Sequence, residues 1–266
     1  MKFKYFISGG VPNLVKFSNN YTGCRNLMLA SILEHSKYPE QYQNELVKLE
    51  NSFNNTLITV KLTNLGKNET KIRDFFGPIL ENTNNHWSFD AEESFTTQDY
   101  NQIMRGIIND SPPGKVGKTY QMYFTASSLQ IMDDVSQFGD KFSIRLVRGA
   151  YYSLEKKLNS ALVYHQKSDT DLSYRKGLKY VLEETNNQLI AATHNSEDID
   201  FLIEQACNRV SVAQLMGISP NLQSRIDQTS NLKSYLYVPY GPIWHCLPYL
   251  TRRLIENGSM VGKILD

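Results

Sequence analysis

The sequence predicts an α/β fold, in which eight parallel strands, each followed by a helix, close into a single TIM-like (βα)8 barrel. Strand-like and helix-like segments alternate almost to the end of the 266 residues. Repeated alternation favours parallel pairing, because each crossover helix covers the sheet. The length also suits a single barrel, which typically needs about 250 residues. An open doubly wound sheet is the lesser alternative.

The predicted strands are short runs rich in β-branched and aromatic residues, with turn-prone residues between them. They cover residues 25–30, 57–62, 87–91, 119–123, 142–147, 189–193, 209–215 and 234–238. Residues 1–23 precede the first of these strands and are predicted to be an N-terminal extension. The barrel domain is then predicted to span residues 24–266.

The helices between the strands are predicted from apolar spacing and capping residues. The clearest helix has one apolar face, formed by Tyr100, Ile103, Met104, Ile107 and Ile108. Elsewhere we expect a helix from residue 69 with a break at residues 77–78, one long helical region over 154–184, and a helix capped at residue 196. The last helix is predicted over about 242–257.

Composition and motifs exclude several classes of function. The chain carries 28 Lys and Arg against 27 Asp and Glu, so its charge gives no case for nucleic-acid binding. Cys24, Cys207 and Cys246 are too widely spaced for a metal finger, and we predict no metal site. No GxGxxG, Walker, HExxH or GxSxG motif occurs. No apolar run approaches the roughly 18 residues of a membrane span.

Polar residues recur where the predicted strands end. They are Lys61, Asp90, Gln121, Arg145, residues 193–195 (THN) and Tyr237. Each alone could be a salt-bridge partner or a helix cap, but catalytic groups of a βα barrel gather at this end of the strands. The last helix adds the adjacent pair Arg252 and Arg253, which could clamp a carboxylate. The alternative for this pair is a solvated basic face, with Glu256 in an ordinary helical ion pair.

Several strings in the chain together resemble the proline dehydrogenase family, and they occur in that family's order. The central string is RLVRGAY at residues 145–151, and the final ones are YVPYGP at 237–242 and LPYLTRRLIEN at 247–257. Shorter matches are VKLT at 60–63, FDAEES at 89–94, ATHN at 192–195 and QLMG at 214–217. The resemblance covers roughly residues 24–258 and is nearest to eukaryotic, particularly fungal, members.

The resemblance implies a distorted βα barrel with its last helix over the barrel mouth. It also implies that FAD binds without a Rossmann fold and that L-proline is oxidised to Δ1-pyrroline-5-carboxylate by hydride transfer to flavin N5. A quinone then takes the electrons. Eukaryotic members work at the matrix side of the mitochondrial inner membrane, so a mitochondrial location and peripheral membrane association are expected, although this chain shows no transit peptide.

Roles for individual residues follow from the resemblance. The flavin is expected to contact Gln121, Arg145, Val147, Gly149, Thr193, His194 and Glu256. The substrate pocket is expected to comprise Lys61, Asp90, Leu215, Tyr237, Tyr249, Arg252 and Arg253, with Tyr151 nearby. Asp90 and Arg145 are the expected catalytic residues, and Arg145 would favour the reduced flavin through its positive charge. Glu34 is expected to form a gate ion pair with Arg252 over bound substrate.

Two alternatives stay open at this point. The chain could be a hydroxyproline dehydrogenase, because no residue of the expected pocket discriminates between proline and its hydroxylated form. It could also be a truncated, non-catalytic binding or structural remnant, because it is much shorter than most eukaryotic members. Retention of the charged set at residues 61, 90, 145, 252 and 253 argues against the remnant.

Overall fold

The computed structural model shows a closed barrel of parallel strands surrounded by helices. It describes residues 6–23, 25–33, 36–158, 160–217 and 220–245. The strands are β1 (Ile7–Ser8), β2 (Asn26–Ser31), β3 (Leu57–Val60), β4 (His86–Phe89), β5 (Val116–Gln121), β6 (Ser143–Val147), β7 (Leu189–Ala192), β8 (Val210–Leu215) and β9 (Lys233–Gly241). All the predicted strands are present within a few residues of their expected positions.

Strand β9 closes the barrel by pairing with both β2 and β8. Tyr237 is opposite Met28 of β2 and Leu215 of β8, and each strand from β2 to β8 pairs in parallel with the next. The upper end of β9 extends beyond β8 and there pairs with β1, Ile7 lying opposite Tyr240. Because all the strands are parallel, their carboxyl ends meet at one rim of the barrel.

Helices follow the strands around the outside of this barrel. They are α1 (Val11–Asn19), α2 (Pro39–Ser52), α3 (Glu69–Asn82), α4 (Ser94–Asp110), α5 (Ser127–Phe138), α6 (Tyr152–Leu158), α7 (Lys167–Glu184), α8 (Ser196–Glu204) and α9 (Pro220–Asp227). Their apolar faces pack on the outer face of the sheet in one large core. A smaller core fills the barrel interior, with Met28, Leu57, Ile190 and Ala213 at its centre.

The structure corrects three boundary predictions. Helix α3 continues through Pro78, since its apolar face is buried along its whole length. The region predicted as one helix over 154–184 is divided into α6, a 3₁₀ turn at Ser160–Leu162 and α7. The division occurs where the backbone N–H of Tyr164 donates to the carbonyl of Tyr123 (2.9 Å), a long-range contact that a helix would forbid. Asn195, rather than Ser196, caps α8.

The predicted extension contains β1 and α1, which sequence reasoning did not find. Val11 and Leu14 of α1 are buried in the outer core, and the backbone N–H of Gly9 donates to the carbonyl of Gly241 at 2.8 Å. These contacts connect the segment to the end of β9. The predicted helix over 242–257 lies outside the described residues beyond His245.

Two hydrogen-bonded polar groups lie away from the carboxyl rim. Asp134 of α5, 1% exposed, accepts hydrogen bonds from Lys118 Nζ (2.6 Å), Tyr120 Oη (2.7 Å) and Arg105 Nε (2.7 Å). At the other site, the His86 ring contacts the carbonyl of Gly114 through Nδ1 and the hydroxyl of Ser143 through Nε2. Burial lowers the pKa of His86 to about 4.

Candidate active site

A cavity of about 280 Å³ opens at the carboxyl ends of the barrel strands. Every predicted site residue within the described ranges lines it: Lys61, Asp90, Gln121, Arg145, Val147, Gly149, Tyr151, Thr193, His194, Leu215 and Tyr237. These residues come from β3 to β9 and the loops that follow them. The fold therefore brings the strand-end residues together, whereas Glu34, Tyr249, Arg252, Arg253 and Glu256 lie outside the described residues.

Arg145 and Asp90 form a buried ion pair in this cavity. Arg145 Nη1 lies 2.5 Å from Asp90 Oδ1, and the two side chains are 7% and 11% exposed. The guanidinium also lies over the Tyr237 ring, 5.4 Å from its centroid, an arrangement that favours a cation. Arg145 Nε is buried without a hydrogen-bond partner among the described residues. A donor held in this way can serve a bound molecule.

Gln121 connects the loops after β4 and β6. Its side-chain amide donates to the carbonyl of Glu92 (2.8 Å), and its side-chain oxygen accepts from the backbone N–H of Ala150 (3.1 Å). Counted over the described residues, the amide group has one further hydrogen and the oxygen one further lone pair for a ligand.

Gly149 is required by the shape of the loop after β6. Its φ is +126°, and a Cβ built on it would lie 1.9 Å from a carbon of the Tyr123 ring. Only glycine adopts this conformation freely and allows so close an approach. The backbone at this point therefore passes directly over an aromatic ring at the cavity wall.

The end of β7 presents Thr193 and His194. The backbone N–H of Leu215 donates to Nε2 of His194 at 3.1 Å, so the proton of a neutral ring lies on Nδ1. Thr193 Oγ1 donates to Asp198 at 3.0 Å and accepts from Arg148 Nη1 at 3.2 Å. These contacts fix both side chains at the rim.

Lys61 lies beside a buried carboxyl group. Lys61 is 5% exposed and Glu92 is 7% exposed, and both follow strand ends. Glu92 accepts hydrogen bonds from the hydroxyl and, at 3.2 Å, the backbone N–H of Thr63. Burial raises the pKa of Glu92 to about 7, although the Thr63 hydroxyl and the nearby Lys61 ammonium oppose the shift.

Among the charged residues of this region to which the sequence assigned no role are Arg148 and Glu92. Arg148 lines the cavity, and its place in the 145–151 string, at the end of a strand, was the available signal. Glu92 also lies in a family-like string, yet nothing in the sequence separates it from the adjacent Glu93. Their partners come from distant parts of the chain, and only the fold identifies them.

Neither a membrane span nor a metal cluster was found in the part of the chain that the structure describes. No helix there combines the length and apolar character that crossing a bilayer requires. The His, Cys, Asp and Glu side chains of that part form no group of three or more able to hold a metal ion.

Solved structures share the fold. Proline utilization A from Bdellovibrio bacteriovorus matches with a TM-score of 0.84 at 18% identity, over 96% of this chain and 32% of that one. The same protein from Bradyrhizobium japonicum matches with a TM-score of 0.78 at 21% identity, over 96% of this chain and 30% of that one. At these identities the likeness concerns the barrel alone.

Curated relatives match in sequence over a large part of the chain. Human "Proline dehydrogenase 1, mitochondrial" is 31% identical in an alignment of 195 residues, and the match covers 65% of this chain and 32% of that protein. The "Hydroxyproline dehydrogenase" of Xenopus laevis is 32% identical in an alignment of 183 residues, and that match covers 60% of this chain and 39% of that protein. The chain thus spans about a third of the length of such relatives. The family model "Proline dehydrogenase" matches residues 24–265, and the chain belongs to the proline dehydrogenase family.

Proposed function

We propose that this chain is an FAD-dependent dehydrogenase that oxidises L-proline to Δ1-pyrroline-5-carboxylate. The observation that carries the proposal is the convergence, on one cavity at the carboxyl rim of the barrel, of the family-like strings that lie within the described residues. These strings are far apart in sequence, and an unrelated set of structural salt bridges would not need to meet at one opening. Catalytic groups of βα barrels gather at this rim.

The described residues fit a flavin. Arg145 offers a buried N–H without a partner among them, and Gln121 retains one donor hydrogen and one lone pair. Val147 and Gly149 continue the same wall, and Thr193 and His194 lie at the neighbouring strand end. We propose that these residues hold FAD, with Glu256 in the same role. The cavity combines polar groups with apolar surface, as a ring system with a polar edge requires.

The substrate is proposed to bind between cations and apolar surfaces. Lys61, with Arg252 and Arg253, would hold the carboxylate of proline, because a cation and a carboxylate form charge-assisted hydrogen bonds. Leu215, Tyr237 and Tyr249 would pack against the methylene face of the ring and exclude water. Glu34 would pair with Arg252 above the bound substrate.

The chemistry that FAD supplies when bound is a two-electron oxidation. L-proline loses a hydride from the ring carbon beside nitrogen and a proton from that nitrogen, which leaves the imine of Δ1-pyrroline-5-carboxylate. The contribution of this chain is to position the reactants, a large part of the catalysis of such steps. Arg145 would supply a positive charge that favours the reduced, electron-rich form of the flavin, and Asp90 holds its guanidinium in place.

The electron acceptor and the location are proposals from the family. We propose that a quinone reoxidises the enzyme, and that the protein acts at the mitochondrial inner membrane through peripheral association. Relatives in human and Caenorhabditis elegans are named as mitochondrial proteins, which supports this location.

The test is a visible spectrum of the purified chain after incubation with FAD, followed by L-proline without oxygen. Retained absorbance near about 450 nm, the usual flavin band, that bleaches with proline is the expected result. A chain that takes up no FAD would overturn the proposal and support a non-catalytic remnant of the family.

Matched lysine variants test the carboxylate site. Lys61→Met should raise the KM for L-proline about 10-fold or more, since a charge-assisted hydrogen bond contributes about 1.5–3 kcal/mol. Lys67→Met removes a lysine from the same segment whose side chain is 67% exposed, and its KM should equal that of the parent chain. Equal KM values for both variants and the parent would remove Lys61 from the substrate site.

A second candidate is oxidation of hydroxyproline. The Xenopus laevis relative with that name is as similar to this chain as the human proline dehydrogenase, at 32% against 31% identity. Bleaching by hydroxyproline under conditions in which L-proline has no effect would select this substrate.

A further inference from the structure

Asp198 is a fully buried carboxylate immediately behind the cavity wall. It lies in the first turn of α8, directly after the β7 end that carries Thr193, and its side chain is 0% exposed. Its backbone N–H donates to the Asn195 side chain that caps the helix, at 3.3 Å. A buried carboxylate is stable only when hydrogen bonds and opposite charges compensate for the loss of water. The burial of Asp198 therefore depends on its hydrogen-bond and ion-pair partners.

The two carboxylate oxygens of Asp198 bind different partners: those of Oδ2 line the cavity, and that of Oδ1 does not. Oδ2 accepts from Arg148 Nη2 at 2.8 Å and from the Thr193 hydroxyl at 3.0 Å, and both of these residues line the cavity. Oδ1 accepts from Arg175 Nε at 3.1 Å. Arg175 belongs to α7, its side chain is 43% exposed, and it does not line the cavity. One carboxylate thus has an inner pair of partners and an outer one.

Arg148 is held from several directions at once. Besides Asp198, its Nε contacts Asp171 at 2.6 Å, its Nη1 donates to Thr193 at 3.2 Å, and its guanidinium lies 4.4 Å from the centroid of the Tyr174 ring. These contacts use three of the five N–H donors of the guanidinium, counted over the described residues. Two donors are left on a side chain that lines the cavity, and their directions are set by the acceptors around it.

We propose that Asp198 is a positioning residue: it fixes Arg148 and Thr193 at the cavity wall, and the affinity of the cavity for FAD depends on it. The inference rests on the proposed function, since it takes the occupant to be FAD. Asp198 does not touch the occupant itself. It acts by holding a cation and a hydroxyl in one arrangement before binding, so that this ordering does not have to occur during binding.

Replacing Asp198 by a neutral residue should affect FAD binding in two opposite ways. A cavity with one carboxylate fewer attracts an anionic ligand more strongly, whereas loss of the Asp198 contacts lets Arg148 and Thr193 move. Asp171 still balances the charge of Arg148 in an Asp198 variant, so the electrostatic gain is limited. An Asn side chain at this position has one acceptor oxygen instead of two, so either the inner partners or Arg175 lose their acceptor, and any inner hydrogen bonds that remain lose their charge assistance. The weaker hold on Arg148 and Thr193 is the larger effect, and weaker binding is expected.

The experiment measures the Kd of FAD for the apo form of the full chain by flavin fluorescence. Asp198→Asn keeps the size of the side chain and should raise the Kd about 10-fold or more, because the hydrogen bonds that hold Arg148 and Thr193 lose their charge assistance. Arg175→Gln, the matched control, removes the outer partner of the same carboxylate and should change the Kd less than about 2-fold. In the Arg148→Met background, Asp198→Asn should weaken binding much less than it does in the parent chain, because the two residues act as one unit.

Thermal unfolding of each apo variant separates loss of positioning from loss of folding. Asp198→Glu is a second variant for the case that the amide variant does not fold; it keeps the charge, displaced by one methylene, and should weaken FAD binding less than Asn. An Asp198→Asn chain that folds and binds FAD as tightly as the parent overturns the inference, as do equal effects of Asp198→Asn and Arg175→Gln. A parent chain that binds no FAD overturns the proposed function as well, so the two failures are distinguishable.

Discussion

The pH dependence of stability should contain two opposing contributions, from Glu92 and His86. Burial raises the pKa of Glu92 from 4.5 to about 7 in the folded chain. Between these values the folded state holds a proton that the unfolded state has lost. The stabilisation from protonated Glu92 is therefore complete below pH 4.5 and is lost as the pH rises through 7.

His86 acts in the other direction. Burial lowers its pKa from 6.5 to about 4, so that between these values the unfolded state binds a proton that the folded state does not. The contribution of neutral His86 is complete above pH 6.5 and is lost as the pH falls towards 4. Because His86 is only partly buried, water screens part of this contribution.

The two magnitudes nearly cancel. From these pKa values, Glu92 lowers the free energy of unfolding by about 2.5 kcal/mol between pH 5 and pH 8, and His86 raises it by at most about 2 kcal/mol over the same interval. The parent chain should consequently show little net pH dependence from this pair. Substitution of either residue should reveal the contribution of the other.

Urea unfolding followed by circular dichroism between pH 5 and pH 8 tests this. Relative to the parent, Glu92→Gln should gain stability with rising pH, by about 2.5 kcal/mol across the interval, and His86→Asn should lose up to about 2 kcal/mol. Glu81→Gln, at an exposed position, controls for removal of one negative charge. A parent-minus-variant difference for Glu92→Gln that does not change with pH would refute the reasoning. A difference of opposite sign would show that the hydrogen bonds from Thr63 outweigh burial.

Two further predictions concern stability alone. Asp134→Asn should lower the free energy of unfolding by about 3–5 kcal/mol in urea titrations, because it leaves buried donors without their carboxylate, whereas Asp133→Asn, at a side chain 70% exposed, should cost at most about 1 kcal/mol. Gly149→Ala should cost at least about 3 kcal/mol in the same assay, since its methyl group would overlap the Tyr123 ring. Gly114→Ala, at φ +74° and with no atom within 4 Å of the added Cβ, should cost about 1–2 kcal/mol. Equal losses for Asp134→Asn and Asp133→Asn, or for the two glycine variants, would contradict the packing argument.

The barrel was predictable because its strands carry a local signal. Segments such as residues 57–62 and 142–147 combine β-branched residues with turn-prone neighbours, and each lies within a few residues of the observed strand. Strand β1 has only two residues, too few for a periodic pattern, and it forms because β9 extends beyond β8. The break between α6 and α7 arises from pairing with the end of β5, which no local pattern contains.

The candidate site likewise has a part that the sequence predicts and a part that only the fold reveals. Lys61, Asp90 and Arg145 could be predicted to share one opening, because parallel strands place their carboxyl ends at one rim. The pairing of Arg148 with Asp198 could not be predicted. Asp198 is separated from Arg148 by 50 positions, and its role depends on how α8 packs behind two strand ends.

Carboxyl groups lie beside cationic side chains of the cavity wall. Asp90 contacts Arg145, Asp198 contacts Arg148, and Glu92 lies beside Lys61, so each of these three cations has a carboxyl group close to it. Such pairing lets cations remain charged in a buried place and keeps the chain near neutrality, at a formal charge of +1. Burial raises the pKa of Glu92 to about 7, near neutral pH. The charge balance beside Lys61 should therefore change with pH near neutrality, and Lys61 is the residue proposed to hold the substrate carboxylate.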